Sequence, residues 1–325
     1  MVIALAAQNS YKPTRLATLT DHKAAVSSVA FSPDGKTMAT GDYDSKVIMW
    51  NVTDPAVPTR LATLTDHKHV VESVAFSPDG KTMATASDDK AVMVWNVTNP
   101  AAPTRLATLT DHEDEVYSVA FSPDGKTMAT ASHDRTVMVW NVTNPAEPTR
   151  LATLTDHKHW VSSVAFSPDG KTMATGGYDG TVMVWNMTKP AAPTRLATLT
   201  DHKNLVKSVA FSPDGKTMAT ASDDETVIVW NVTNPAAPTR LVTLAGHTDT
   251  VRSVAFSPDG KTMATASDDK TVIVWNVTNP AAPTRLATLT DHKHFVSSVA
   301  FSPDGKTMAT ASQDRTVMVW RLPAA

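Results

Sequence analysis

The 325-residue sequence contains no cysteine. Disulfides, thiolate metal sites and thiol nucleophiles are excluded together, and the chain fits a reducing, cytoplasmic setting. Long apolar runs are missing as well, since none approaches the roughly 18 residues of a membrane span. The opening Met1–Gln8 is mildly apolar but has no basic flank, so it reads as a processing remnant or an added scar. Neither sign of charge dominates. With 29 Lys and Arg against 32 Asp and Glu, the sequence offers no basic surface for nucleic acid or an anionic membrane. Helical periodicity is absent, and no nucleophile, phosphate-cradling loop or metal-ligand cluster occurs once and stands alone. Catalytic residues, a metal and a cofactor are therefore not expected.

What is present is repetition. The string Ser28-Val-Ala-Phe-Ser-Pro-Asp-Gly-Lys-Thr-Met-Ala-Thr40 recurs unchanged from Ser73, Ser118, Ser163, Ser208, Ser253 and Ser298, always 45 residues on. A fixed period of this length means a repeat architecture, in which one unit cannot bury its apolar faces alone. Within residues 24–68 the spacing predicts strands at Val26–Phe31, Thr37–Thr40, Lys46–Trp50 and Arg60–Leu64. Between them lie Ser32-Pro-Asp-Gly-Lys36, a turn at Asp42–Ser45 and the longer Asn51–Pro58 connection. Each unit is thus a four-stranded antiparallel sheet.

The chain stops after a third strand, Val317–Arg321, while Pro13–Thr20 matches the missing fourth. Pairing the two ends closes a ring and removes an exposed edge. The expectation is an all-β, seven-bladed β-propeller whose N-terminal strand completes the last blade. Residues 1–12 would be an extension, 13–321 the single ring and 322–325 a tail.

Each unit also carries His, Thr, Asp and Trp at fixed offsets: His22, Thr40, Asp44 and Trp50 first, then His67, Thr85, Asp89 and Trp95, and so on to His292, Thr310, Asp314 and Trp320. With this set the chain resembles the WD-repeat β-propeller family over nearly its full length. The resemblance implies a hydrogen-bonded chain in every blade, from Trp to Thr to His to Asp. Two departures stand out. The family's Gly-His is Asp-His here except at Gly246-His247, and its Trp-Asp is Trp-Asn, or Trp320-Arg321 at the end. Seven equivalent sets beside Trp suit buried structural polar groups rather than a catalytic triad, which needs one exposed nucleophile.

Differences between the copies carry the functional signal. They lie just after each His and around each Asp, in loops that alternating chain direction places on one face, the top. Five of the six aromatics outside the repeat pattern fall there: Tyr43, Tyr117, Trp160, Tyr178 and Phe295, with Tyr11 the exception. By resemblance, three such slots per blade contact partners. They supply Tyr43, Glu115, Tyr117, His133, Trp160, Tyr178, Leu205, Lys207, Arg252 and Phe295 as candidate binding residues. Tyr117, Trp160 and Tyr178 should come together beside Glu113-Asp114-Glu115, and Phe295 should lie near Tyr43. The extra histidines His69, His133, His159 and His294 are too dispersed for a metal. Six Asn-x-Thr triplets, from Asn51 to Asn276, match glycosylation acceptors but sit where the turn itself favours Asn.

The leading reading is a non-catalytic, monomeric scaffold that binds a protein or peptide, of the kind found beside signalling domains in bacterial members of the family. An alternative is an engineered or consensus-type propeller without a natural partner, since thirteen residues persist through seven copies. A weaker one is small-molecule or glycan binding in the central channel.

Overall fold

The computed structural model describes residues 11–323. Residues 1–10 of the expected extension and 324–325 of the tail lie outside them. Twenty-eight strands form seven four-stranded antiparallel sheets among the described residues. β1 (Thr14–Leu19) precedes blade 1, which consists of β2 (Val26–Phe31), β3 (Thr37–Asp42), β4 (Val47–Asn51) and β5 (Thr59–Leu64). Blades 2–6 repeat this order. In blade 7, β26 (Val296–Phe301), β27 (Thr307–Ser312) and β28 (Val317–Arg321) are completed by β1, with Leu19 opposite Val317 and Thr14 opposite Arg321. The ring is closed by the two chain ends, as the sequence predicts.

No blade has a core of its own. The apolar residues form seven clusters, each shared by two neighbouring sheets. Ala39, Val47, Met49 and Leu64 of blade 1, for example, pack on Val71, Met83 and Trp95 of blade 2. The cluster of Leu19, Val26, Met38 and Trp50 with Ala309, Ala311 and Val317 seals the junction of blades 7 and 1. Tyr11 and Leu322, from the expected extension and tail, are buried together between blades 6 and 7. The invariant string has specific work in this packing. Ser28 Oγ accepts the Val74 amide of the next blade at 3.2 Å, and the equivalent bond recurs around the ring to Ser298 Oγ and the Val29 amide. On the bottom, Gly35 at φ 67° ends the tight hairpin turn, and its Cα faces Pro303 of the preceding blade.

The tetrad is present in all seven blades, but in blade 1 one member differs from expectation. Trp Nε1 donates to Thr Oγ1 at 2.9–3.1 Å, as from Trp50 to Thr40 and from Trp275 to Thr265. Thr Oγ1 lies 2.7–2.8 Å from His Nε2, and His Nδ1 lies 2.6–2.9 Å from an Asp Oδ2. A neutral His that donates from Nδ1 and accepts at Nε2 satisfies every member. In blade 1 the Asp is Asp42, not Asp44. Asp42 stands where five other blades have a Ser and blade 4 has Gly177; Ser87 Oγ, for example, accepts the amide of Asp89. The longer Asp42 side chain accepts the Asp44 and Lys46 amides at Oδ1 and still reaches His22 with Oδ2. Asp44 is displaced to the surface, where it pairs with Lys46. At Asp89 burial pushes the carboxyl up, but hydrogen bonds from His67 and the Lys68 amide outweigh it and hold the group at about 2.

Both departures from the family dipeptides have local causes. The Asp of Asp-His faces the outer strand of its own blade, as in Asp66 with Arg105 at 2.9 Å, and six such pairs form. Arg285 has no such partner among the described residues, because its blade carries Gly246. The Asn after the Trp in blades 1–6 closes an Asx turn: Asn51 Oδ1 accepts both the amide and the hydroxyl of Thr53. The turn accounts for the Asn-x-Thr triplets.

Two outcomes are expected. Deleting residues 1–20 removes β1 and should lower the melting temperature of the whole ring. An unchanged cooperative melt by calorimetry would count against the closure. Asp42→Ala should cost about 1–3 kcal/mol by orphaning buried donors, whereas Asp44→Ala should stay within about 0.5 kcal/mol, as at ordinary surface sites. Chemical denaturation distinguishes the two.

Candidate binding face

The variable slots are positioned by two backbone devices that recur in every blade. The first is a β-bulge in the innermost strand. Pairing passes from Val26–Asp42 directly to Ser28–Gly41, so Ser27 is the extra residue, and the same slip skips Glu72, Tyr117, Ser162, Lys207, Arg252 and Ser297. A bulged residue leaves the ladder and its side chain is re-aimed. Here all seven point into the mouth of the central channel, where with Tyr43 and Tyr178 they line a cavity of about 120 Å³. The second device is an amide-to-carbonyl bond between the other two slots. The Tyr43 amide donates to Ala25, His133 to Glu115, Tyr178 to Trp160, Asp223 to Leu205 and Gln313 to Phe295, all at 2.8–2.9 Å. These residues therefore sit side by side on the rim above the channel.

On blades 3 and 4 the rim is aromatic. His133 is sandwiched between Tyr117 and Trp160, with ring centroids 3.9 and 3.8 Å away and interplanar angles of 25° and 18°. Tyr178 tilts against Trp160 at 5.4 Å, and His159 meets Trp160 edge-on at 4.9 Å. The expected meeting of Tyr117, Trp160 and Tyr178 therefore occurs, with buried His133 as its centre. Nδ1 of His133 is 2.7 Å from Glu115, while Nε2 is buried without a partner. A second N–H at Nε2 would have no acceptor. Burial first pushes His133 down to about 4, opposed by Asp114 and reinforced by His159 and Lys207, and keeps the ring neutral. Trp160 remains 37% exposed and Tyr43 41%, the two large hydrophobics displayed on this face.

The remaining candidates are braced by their neighbours. Lys207 Nζ donates to Tyr178 Oη at 2.5 Å and lies 3.5 Å from Asp223. Arg252 grips Asp268 with Nε and Nη2, and its guanidinium lies 5.7 Å from the Phe295 ring centre. Phe295 packs edge-on against His294. Tyr43 receives Gln313 Nε2 at 3.5 Å across the closure, and the Gln313 amide donates to the Phe295 carbonyl at 2.9 Å, so Gln313 links the two aromatics expected near each other there. Leu205 is half-buried. Serine in the bulge slot depends on its neighbour. Ser162 Oγ donates to the Gly176 and Val206 carbonyls, and a Cβ on Gly176 would come within 2.7 Å of Val206. Ser297, beside Ala311, has an unpartnered hydroxyl.

A groove of about 440 Å³ adjoins the rim itself, between Glu113, Asp114, His133, Lys158 and Trp160. Others lie on the opposite face. One of about 670 Å³ runs between blades 7 and 1, and grooves of about 560 and 370 Å³ follow at the next two junctions with equivalent linings. They belong to the repeat and single out no site. Among the described residues no group of three or more His, Asp or Glu is arranged to hold a metal ion.

The stack makes a measurable claim. In the intact chain the His133 ring protons should titrate near 4 by NMR, and Trp160→Ala should move the midpoint up toward 6.5. A midpoint near 6.5 in the parent chain would disprove the enclosed, neutral ring.

Comparison with known proteins places the description "WD domain, G-beta repeat" on residues 13–51 and 58–96. The description "Echinoderm microtubule-associated protein second beta-propeller" matches 116–282 and, overlapping it, 161–325. No curated protein matches the chain. The propeller description alone spans more than half of the sequence, on blades whose tetrads and closure are those already described, and the chain belongs to the WD-repeat β-propeller family.

Proposed function

We propose that the chain is a non-catalytic platform that binds a protein or peptide through its top face, centred on blades 3 and 4. WD-repeat propellers are in general protein-interaction scaffolds and typically non-catalytic. The observation that carries the finer reading is Trp160. It is an exposed indole held rigid by His133 beneath it and Tyr178 beside it. Preorganised aromatic surface contributes large contact area at little entropic cost, which is what binding hot spots use. The channel cavity of about 120 Å³ is smaller than the roughly 300 Å³ at which ordinary small-molecule sites begin, which weighs against a glycan or drug-sized ligand.

A second reading, a consensus-type or freshly amplified scaffold without a natural partner, is favoured by one observation. Packing and hairpin bonds account for Ser28, Ser32, Gly35, Met38 and Thr40. The Lys36 side chain is exposed, yet lysine stands there in all seven copies. Near-identical codons across the repeats would point to recent duplication.

The test is a pull-down comparing the intact chain with a Trp160→Ala/Tyr178→Ala variant. The variant should lose the bound partners while keeping its melting temperature within a few degrees. Identical partners on both would place the binding face elsewhere.

A further inference from the structure

Repetition singles out none of the bottom grooves, but one side chain outside the repeat does. Tyr11 is buried with Leu322 in the cluster between blades 6 and 7, and among the described residues no other junction has a counterpart to it. Leu322 stands where other blades have Val52, Val97 and Val142, and those valines line the open grooves at junctions 7–1, 1–2 and 2–3. Thr262 likewise corresponds to Thr307, Thr37 and Thr82, which line the same three grooves. It is 4% exposed, against 8% at each of those three, so its groove is covered. The hairpin carboxyls agree. Burial first, then Asp259, push the Tyr11 hydroxyl up to about 12. On Asp259 and Asp304, at the two walls of that junction, burial acts more strongly than the serine hydrogen bond. At the other five hairpin aspartates the hydrogen bond comes first. Tyr11 therefore occupies, at one junction, the groove that stands open at these three.

We propose that the open groove between blades 7 and 1 is a docking site for a segment of a partner protein, which seats one aromatic side chain there as Tyr11 is seated at the junction beside it. The surface is separate from the top face and does not depend on binding there. At about 670 Å³ the groove is the roomiest of the three, and it alone runs on across Arg321 and Leu322 of the preceding blade. That volume lies in the range of ordinary ligand sites. Leu322 joins the two places, being buried with Tyr11 and lining the groove. Val52, Pro303 and Thr307 complete an apolar floor, with Asp304 and Arg321 at its margin. A ring in an apolar pocket with a polar margin is the usual form of a binding anchor.

Tyr11 also indicates the shape of the occupant. It lies three residues before Thr14, where β1 begins, so a ring reaches such a groove from a chain that continues as an extended strand. A second copy does not supply that ring from the same position, because its own Tyr11 is already seated.

The experiment titrates the intact chain with the synthetic peptide Asn-Ser-Tyr-Lys-Pro-Thr, the sequence around Tyr11, and follows methyl signals by NMR. Val52 and Leu322 should shift, and the same peptide with alanine in place of tyrosine should bind at least about tenfold more weakly, the loss expected for one buried ring. Thr53→Trp, a bulky change on the exposed wall of this groove, should block binding and leave the melting temperature nearly unchanged. The filled junction gives an independent reading. Tyr11→Ala should melt lower than the parent, and p-cresol, the tyrosine side chain alone, should restore part of the loss. The proposal is overturned if Val52 and Leu322 do not respond, if the alanine peptide binds equally well, or if Thr53→Trp binds as the parent does. Self-association of the chain that the peptide disperses would also overturn it, since the occupant would then be a second copy. The Trp160→Ala/Tyr178→Ala variant should bind the peptide unchanged, and loss of binding there would move the site to the top face and refute the groove alone.

Discussion

Everything in this molecule depends on the fact that a blade cannot bury itself. Each sheet presents two apolar faces, and each face is covered by the sheet next door. The seven clusters are therefore links in a chain, and a link without a neighbour would expose Met, Val and Trp side chains to water. Closure follows from that constraint. The same logic explains the serine hydroxyls that reach from one innermost strand to the next, because they fix the spacing at the crowded centre where side chains have least room.

Much of the fold was legible because its signals were local and repeated seven times. Strand order, the closing strand and six of the seven tetrads follow from residue type and offset alone. Asp44 misled because it keeps the family offset. What decided the matter was Asp42 two residues earlier, a longer side chain at a position that serine fills in five of the other blades. The Asp–Arg pairs were readable in principle, since Gly246 breaks the Asp pattern while Arg285 stays.

The binding face was legible in outline and not in depth. Position in the repeat placed Tyr117, Trp160 and Tyr178 on one rim. It gave no sign that His133 would be enclosed between two of those rings, because that burial is made jointly by two blades. Nor did it separate residues that look outward from those that look into the channel. A β-bulge adds one residue to a strand without altering its apolar pattern, so the turning of Glu72, Lys207 and Arg252 toward the axis left no mark on the sequence.

The bulge has a consequence for how such a molecule can change. Its residue belongs to no ladder pair, so Ser, Glu, Tyr, Lys and Arg all occupy it in the present ring without disturbing the strand behind. Seven independent positions converge on one small volume, and each can be rewritten while its neighbours keep their backbone. The channel mouth is in effect a seven-letter word spelled on a fixed frame, whose meaning can be altered one letter at a time.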